Sequence, residues 1–231
     1  MQCLFMEKLH YYNESLKILD ELSSQTKKPT LLMHACCAPC SCFPLTFLCP
    51  HFNVTIFYNN SNIYPTAEYE RRRDELKKFL EEFERDYHYH VDLIIPPYDE
   101  ESYAQKLRPL AHLKEGTERC FYCYRLRMEE AYDYAERNGF DFFTTVMTIS
   151  SQKNSLKLNE IGEELEKNHP HCRYFYSDFK KKKGADKGRE IRNFYQLYQQ
   201  QYCGCRYSFA EYKERIRMKE NAEKAENKEI N

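Results

Sequence analysis

Leu31 to Ser41 reads LLMHACCAPCS, a short uncharged run that ends in Cys36, Cys37, Pro39 and Cys40. No other stretch constrains the fold as strongly. Leu31 to Ala35 has the composition of a strand buried in a parallel sheet. Three cysteines within five residues are not a packing pattern. Adjacent side chains on extended backbone point to opposite faces. Cys36 and Cys37 therefore cannot both serve one core, and their sulfurs are expected to diverge, which leaves open whether they serve one metal or two.

The rest of the chain alternates strand and helix. Met6 to Leu22 has Leu9, Leu16, Leu19 and Leu22 near helical spacing. Ser41 to Cys49 reads as helix or turn. Asn53 to Tyr58 is a second strand, rich in β-branched and aromatic residues. Thr66 caps a helix that carries Tyr69, Leu76, Leu80 and Phe83 on one side. Val91 to Ile95 is a third strand, followed by helical segments at Glu100 to Ala111 and Thr117 to Asn138, the latter stopped at Asn138-Gly139. Phe142 to Ile149 is a fourth strand, Asn154 to Lys167 a helix, and Arg173 to Ser177 a fifth strand. Ala185 to Gln200 is helical, Gln201 to Ser208 is a loop, and a charged helix from Phe209 frays beyond about Glu220. This alternation predicts an α/β fold with a mostly parallel five-stranded sheet and helices on both faces. The chain divides into a helical segment 1–30, a core 31–208 and a C-terminal helix and tail 209–231, one α/β domain in all. In such sheets ligands sit beyond the carboxyl ends of the strands. Cys36, Asn59, Tyr98, Ser150 and Asp178 all follow expected strands closely.

Composition matters at two points. The formal net charge is only -1, yet Lys180 to Lys219 holds 12 Lys or Arg against four Asp or Glu. Such segregation suits a nucleic-acid face. There are 11 cysteines. No signal peptide or membrane-spanning run is visible, so a cytoplasmic setting is expected, where structural disulfides are disfavoured. Many cysteines there point to metal or redox chemistry.

Two further cysteine pairs join the first group. Cys120-Phe121-Tyr122-Cys123 lies at the start of a helix, where i, i+3 spacing puts both sulfurs on one face. The helix N-terminus, Arg119 and Arg125 are expected to favour thiolate there. Cys203-Gly204-Cys205 lies in a loop that Gly204 lets bend tightly. Seven candidate ligands exceed the four of a zinc ribbon or the two of a thioredoxin-like site. Four thiolates for an iron–sulfur cluster, with others for a second metal or a redox pair, account for the number better. Cys3, Cys42, Cys49 and Cys172 have no partner at ligand spacing and read as packing residues.

The segments HACCAPCS, YNNSNIYPTAEYERR, RCFYCYRLRMEEAYDYA, TTVMTISSQKN, DFKKKKGADKG and QYCGCRYS together resemble, in that order, epoxyqueuosine reductases of the QueH type. The resemblance covers about Leu31 to Ser208. It implies a fold like that of the adenine-nucleotide α-hydrolases (HUP-like). It also implies reduction of epoxyqueuosine to queuosine at the tRNA wobble position, the last step in making that base. It further implies a four-iron, four-sulfur cluster and an additional iron. By position, Cys36, Cys37, Cys120 and Cys123 are the cluster ligands, and Cys40, Cys203 and Cys205 serve the second metal or a redox pair. Some relatives have an acidic residue where this chain has Cys40. Relatives commonly read Asn-Pro-Asn-Ile-His-Pro where this chain has Asn60-Ser61-Asn62-Ile63-Tyr64-Pro65, so no histidine base or ligand is expected there.

The reaction needs two electrons from an external donor, two protons and a route for the base out of the anticodon loop. Tyr64, Tyr124 and Asp178 are proton-donor candidates by location. Lys180, Lys181, Lys182, Lys183, Lys187, Arg189, Arg192 and Arg206 are candidates for tRNA phosphates, with Arg71 to Arg73 a weaker set. His34 reads as a strand-end hydrogen-bonding residue. Three alternatives predict different observations. An ATP-pyrophosphatase-like tRNA-modifying enzyme needs a Gly/Ser-rich loop after the first strand, and Ala35 to Pro39 has no glycine. A metal-dependent RNA-binding module predicts zinc without iron. A thiol–disulfide oxidoreductase predicts activity without metal.

Overall fold

The structure, a computed structural model, describes residues 10–229, with side chains to 222. Cys3 and the expected helical turn from Met6 to Leu9 lie outside the described residues. Five strands form one all-parallel sheet in the order β3-β2-β1-β4-β5. β1 (Thr30–His34) is central, pairing Leu32 with Thr55 of β2 (Asn53–Phe57) and with Phe143 of β4 (Phe142–Thr145). β3 (Asp92–Ile94) and β5 (Arg173–Tyr174) form the edges.

Alternation along β1 decides the two layers. Leu31 and Met33 join a core with Ile18 of α1 (His10–Ser23), Leu45 of α2 (Ala38–Leu48) and Phe79 of α3 (Thr66–Tyr87). Leu32 points the other way, onto Met128 of α5 (Glu118–Arg137) and Ile161 of α6 (Ser155–Glu166). Leu31, Leu32 and Met33 are all fully buried, as a central strand covered on both faces requires. Truncating one of them to Ala costs about 2–5 kcal/mol. The remaining helices are α4 (Glu100–Leu107), α7 (Gly184–Phe194) and α8 (Arg206–Glu229). No described helix is long and apolar enough to cross a membrane.

The chain runs outward from β1 through β2 to β3, then returns to β4 and β5. The order therefore reverses between β1 and β4, and the crevice beyond their carboxyl ends is the expected ligand position. Cys36 to Cys40 leave β1 there, and Ser150 to Lys153 follow β4 there.

Several boundaries differ from the sequence expectation, each for a local reason. α2 starts at Ala38, with Pro39 in its first turn, so Cys40 is helical. Thr66 is the first residue of α3 and Pro65 stands at the cap position. β4 stops at Thr145, whose hydroxyl accepts the Met147 N–H at 3.2 Å and turns the chain into a 3-10 segment, Val146–Ile149. β5 is shortened because the Ser177 N–H is taken by the Asn159 side chain at 3.1 Å. α7 ends at Phe194, where Gln196 adopts a left-handed conformation. α8 begins three residues early, at Arg206, and stays helical to Glu229 instead of fraying from Glu220.

Candidate metal centre

Cys36, Cys37 and Cys40 converge. Their three sulfurs lie within 4.8 Å of one another, and Cys36 Sγ is 3.7 Å from Cys37 Sγ. The sequence expectation of divergent neighbours holds only on a strand. β1 has ended at His34, and α2 begins at Ala38 and brings Cys40 back over the turn. Buried asparagines brace that turn. Asn60 Nδ2 donates to the Ala35 carbonyl at 2.7 Å, and Asn59 Nδ2 donates to the Arg127 carbonyl at 2.9 Å. Gln200 Nε2 donates to Cys37 Sγ at 3.4 Å.

The triad shares its protons unequally. Hydrogen bonds from Cys37 and then Cys40 hold the Cys36 thiol well below its ordinary value. The bond to Cys36 in turn pushes Cys37 up to about 12, and bonds to both neighbours push Cys40 upward. Of the three thiols, Cys36 is the one whose neighbours favour loss of its proton. A metal ion replaces the shared protons when it binds such a group.

The other two pairs sit on the same side of the sheet. Cys120 is half-buried and accepts the Gly116 N–H at 3.2 Å. Burial raises its pKa, against the expectation of a stabilised thiolate. The expected arginines are occupied elsewhere. Arg119 donates to the Ala111 carbonyl at 3.2 Å, and Arg125 pairs with Glu164. Cys123 is buried and accepts from the Tyr103 hydroxyl at 3.4 Å. Burial and then the Cys203 charge push Cys205 up to about 11. Cys203 and Cys205 are positioned by Arg72, a guanidinium only 1% exposed. It bonds Glu68 at 2.7 Å and the carbonyls of Tyr202 and Cys203 at 3.2 Å each. The Gly204 carbonyl also accepts the Tyr64 N–H at 2.7 Å.

Two cations face these sulfurs. Arg127 is 2% exposed, bonds Met147 Sδ at 2.7 Å and leaves its Nε without a partner among the described residues. Burial disfavours its charge, yet the sulfurs of Cys123, Cys36 and Cys203 and the Tyr103 hydroxyl hold it on. Lys153 is half-buried in the same cavity wall, where burial opposes its charge and Cys203, Cys36 and Cys40 outweigh it. Neither cation has a carboxylate within ion-pair distance among the described residues. A negatively charged thiolate–metal group fits the cations that this donor set leaves uncompensated.

The thiols open on a cavity of about 660 Å³, lined by Cys36, Cys40, Cys203, Tyr124, Arg127 and Lys153. Arg189, Arg192 and Arg215 stand in its outer wall. Of the proton-donor candidates, Tyr124 lies in this wall. Tyr64 is 37% exposed and packs edge-on against Phe209 instead. Asp178 lines a different cavity, with Lys181, Lys182 and Lys187. Lys180 donates to the carbonyls of Ser150 and Lys153 at 3.4 and 3.1 Å. Lys183 takes a left-handed conformation at the start of α7. Arg206 is paired with Glu100 at 2.6 Å and Glu101 at 3.1 Å. His34 is fully buried and bonds Thr145 at 2.8 Å. Sequence reasoning passed over Arg127, Lys153, Gln200 and Arg215. Arg72 sits in the Arg71 to Arg73 run, whose other members are exposed or half-buried. A helical reading does locate two of them. Arg72 falls on the Tyr69–Leu76–Phe79 face, and Arg127 on the Tyr124–Met128–Ala131 face.

Fold and site define a class: a doubly wound α/β protein whose switch-point crevice carries clustered thiols with a buried arginine and a half-buried lysine, suited to thiolate–metal redox chemistry. The family model described as epoxyqueuosine reductase QueH matches residues 31–211, and the chain belongs to that family, the oxidoreductases of queuosine biosynthesis. Epoxyqueuosine reductase QueH of Staphylococcus aureus (strain Mu50) is 35% identical over 201 residues, covering 86% of this chain and 83% of that protein. The Streptococcus pyogenes serotype M1 protein of the same name is 34% identical over 202 residues, 87% of this chain and 79% of that one. That of Thermotoga maritima is 29% identical over 189 residues, 80% and 93%. Among solved structures, the U34-tRNA thiolase NcsA from Methanococcus maripaludis with its [4Fe-4S] cluster aligns with 97% of this chain and 75% of its own. The TM-score is 0.44 and the identity 15%.

Proposed function

We propose that the chain reduces the epoxide of epoxyqueuosine to the alkene of queuosine at the wobble position of a tRNA anticodon, at an iron–sulfur centre built on Cys36, Cys37 and Cys40. The observation that carries this reading is the convergence of those three sulfurs within 4.8 Å at the sheet's switch point. Cys120, Cys123, Cys203 and Cys205 complete the ligand set. Seven thiols exceed the four that one cluster takes, which supports an additional iron. Cys40 belongs with Cys36 and Cys37 in this scheme, and the remaining pairs fill the other positions. When bound, such a centre supplies the low-potential electrons that no side chain provides.

The reaction balances as two electrons and two protons in, both epoxide C–O bonds broken and one water out. An external reductant supplies the electrons. The chain's own residues have three tasks. Arg127 and Lys153 hold positive charge against the sulfurs and against the oxygen as it gains charge. Tyr124, in the cavity wall, is the side chain placed to pass a proton to that oxygen. Arg189, Arg192 and Arg215 meet the phosphates that flank the turned-out base.

Anaerobic purification followed by visible spectroscopy and assays for iron, sulfide and zinc tests the centre. Mass spectrometry of the base after incubation with epoxyqueuosine tRNA and a reductant tests the reaction. A brown protein with iron and sulfide, and a base lighter by one oxygen, are expected. A colourless zinc protein, or an unchanged base with the centre intact, overturns the reading.

A further inference from the structure

The hydrogen bonds around the sulfurs sort the cysteines. Cys42 Sγ, on α2, lies 3.2 Å from the Pro39 carbonyl oxygen and 3.4 Å from that of Gly188. Both neighbours are acceptors, so Cys42 keeps its proton and donates it. Three candidate ligands face donors instead. Cys120 accepts the Gly116 N–H at 3.2 Å. Cys37 accepts from Gln200 Nε2 and Cys123 from the Tyr103 hydroxyl, at 3.4 Å each. A metal-bound sulfur has no proton to give and can only accept. Donors therefore stand where a metal-bound sulfur needs them, and two of the three are side chains.

Gln200 belongs to the segment between α7 and the Cys203 loop, and lines the thiol cavity with Cys36 and Cys40. Its backbone is pinned on both sides. The Tyr198 N–H bonds Glu75 at 2.8 Å, and the Gln201 carbonyl accepts from Arg215 at 3.4 Å. The bond to Cys37 is the one hydrogen bond its side chain makes among the described residues, and its Oε1 is buried without a partner. Burying an amide on those terms carries a free-energy cost that a methionine of similar shape avoids. What the amide adds over methionine is the N–H on Cys37.

Tyr103, on α4, is 7% exposed and packs with Leu107 and Cys123. Its hydroxyl also lies 2.9 Å from the Cys123 carbonyl oxygen. One proton between a carbonyl and a sulfur turns toward whichever carries more negative charge. Two contacts fix the helix that carries Tyr103. Asp99 accepts the Ser102 N–H at 3.1 Å, and Glu100 pairs at 2.6 Å with Arg206, the residue after Cys205. The cysteine loop and the Tyr103 donor are thereby held to each other.

We infer that Gln200 and Tyr103 are positioning residues of the thiol centre, each holding a proton donor on a ligand sulfur and so raising the centre's reduction potential. The inference rests on the iron–sulfur reading of these thiols. An added electron makes the sulfurs more negative, and a hydrogen bond to a more negative acceptor is stronger. Donors on the sulfurs therefore favour the reduced state, one of the means by which a protein sets the potential of such a centre.

Anaerobic redox titration of the iron-loaded full chain tests the inference. Gln200→Met and Tyr103→Phe remove the donors and keep the shapes. Both variants are expected to hold iron and sulfide at the wild-type content. At the potential that half-reduces the wild-type centre, the ratio of reduced to oxidised centre, read by electron paramagnetic resonance, is expected to fall at least about threefold in each. With cobalt(II) bound in place of iron, the sulfur-to-cobalt absorption band is expected at longer wavelength in the variants, because a sulfur without its hydrogen bond gives up electron density more readily. Gln200 is half-buried in the cavity wall, so Gln200→Met decides the matter if Tyr103→Phe does not fold. An unchanged or raised potential with the centre retained, or an unshifted cobalt band, overturns the inference alone. Loss of iron from a folded Gln200→Met chain does the same, since the bond would then hold the ligand and not set the potential. A wild-type chain that takes up no iron and sulfide removes the reductase reading and this inference with it.

Discussion

The Arg72 guanidinium on α3 donates to the Cys203 carbonyl at 3.2 Å, across 131 positions of sequence. Its other nitrogens serve Tyr202 and Glu68, so one buried cation holds the cysteine loop in register with the sheet. Arg72→Met leaves Glu68 buried at 10% side-chain exposure without its partner. Loss of one partner of a buried pair costs about 3–5 kcal/mol. Differential scanning calorimetry will show a lower Tm, and iron per chain will fall. Adding Glu68→Gln recovers much of the Tm but not the iron. Full recovery of both would mean that the loop does not depend on Arg72.

Gly204 has φ of +128°, and a Cβ there would stand 3.1 Å from Arg72 Nη1 and 3.2 Å from Ile63. An alanine in that conformation costs about 1–3 kcal/mol. Gly204→Ala is expected to lower Tm and to loosen Cys203 and Cys205 together. Faster loss of iron to a chelator than in wild type is the measurement. Unchanged chelation kinetics would contradict it.

His34 gives the pH dependence. Burial, followed by the Arg127 charge, pushes its pKa from 6.5 to about 3. The folded protein thus keeps His34 neutral while the unfolded chain takes up a proton below about pH 6.5. Stability from this group is full above pH 6.5 and declines as pH falls toward 3, by about 1.4 kcal/mol per unit once the unfolded chain is protonated. Urea midpoints of the metal-free protein at pH 7.5, 6.5 and 5.5 will decline more steeply in wild type than in His34→Gln. Parallel declines would exclude His34 as the cause.

Arg127 has the sulfurs as its counter-charges. A cation near a redox centre favours the reduced, more negative state. Arg127→Met is expected to lower the midpoint potential by some tens of millivolts, measured by anaerobic redox titration. A raised or unchanged potential with the centre retained would contradict this.

Cys49 and Cys172 are 2% and 1% exposed, and burial pushes each thiol to about 12. Both are expected to resist iodoacetamide at pH 8 in the folded protein. Their alanine variants should keep the iron, at a cost of about 1–2 kcal/mol in stability. Cys40→Ser should lose iron. Iron loss in Cys49→Ala would show that the packing reading is wrong for that residue.

The sheet was legible because its signals are local: an uncharged run at Leu31, β-branched residues at Val54 to Ile56, and helical spacing between. The convergence of Cys36, Cys37 and Cys40 was hinted at by their density, because no packing rule produces three cysteines in five residues. Their grouping was not, since it depends on the turn between His34 and Ala38 and on where α2 starts. The buried cations were hidden for a different reason. Arg72 and Arg127 stand in charged runs, Arg71 to Arg73 and Arg125 to Glu130. Composition makes such runs solvent-facing, and only helical phase singles out the member turned inward. Lys153 had no signal at all, because its surroundings come from Cys36, Cys40 and Cys203, which are remote in sequence. Asp178 was expected just after a strand ending at Ser177, but β5 stops at Tyr174 and helices α2 and α7 separate Asp178 from the thiols.

The tether between Arg72 and the Cys203 loop also sets an order of assembly during synthesis. Cys36, Cys37 and Cys40 emerge from the ribosome early, just after the first strand. The Cys203–Cys205 loop emerges only when most of the chain has been made. Until then the triad is an open, reactive group on an unfinished sheet. With the ligand set proposed above, cluster insertion would be a late event in the life of the nascent chain, and a polypeptide truncated before Cys203 would keep Cys36, Cys37 and Cys40 but lack Cys203 and Cys205.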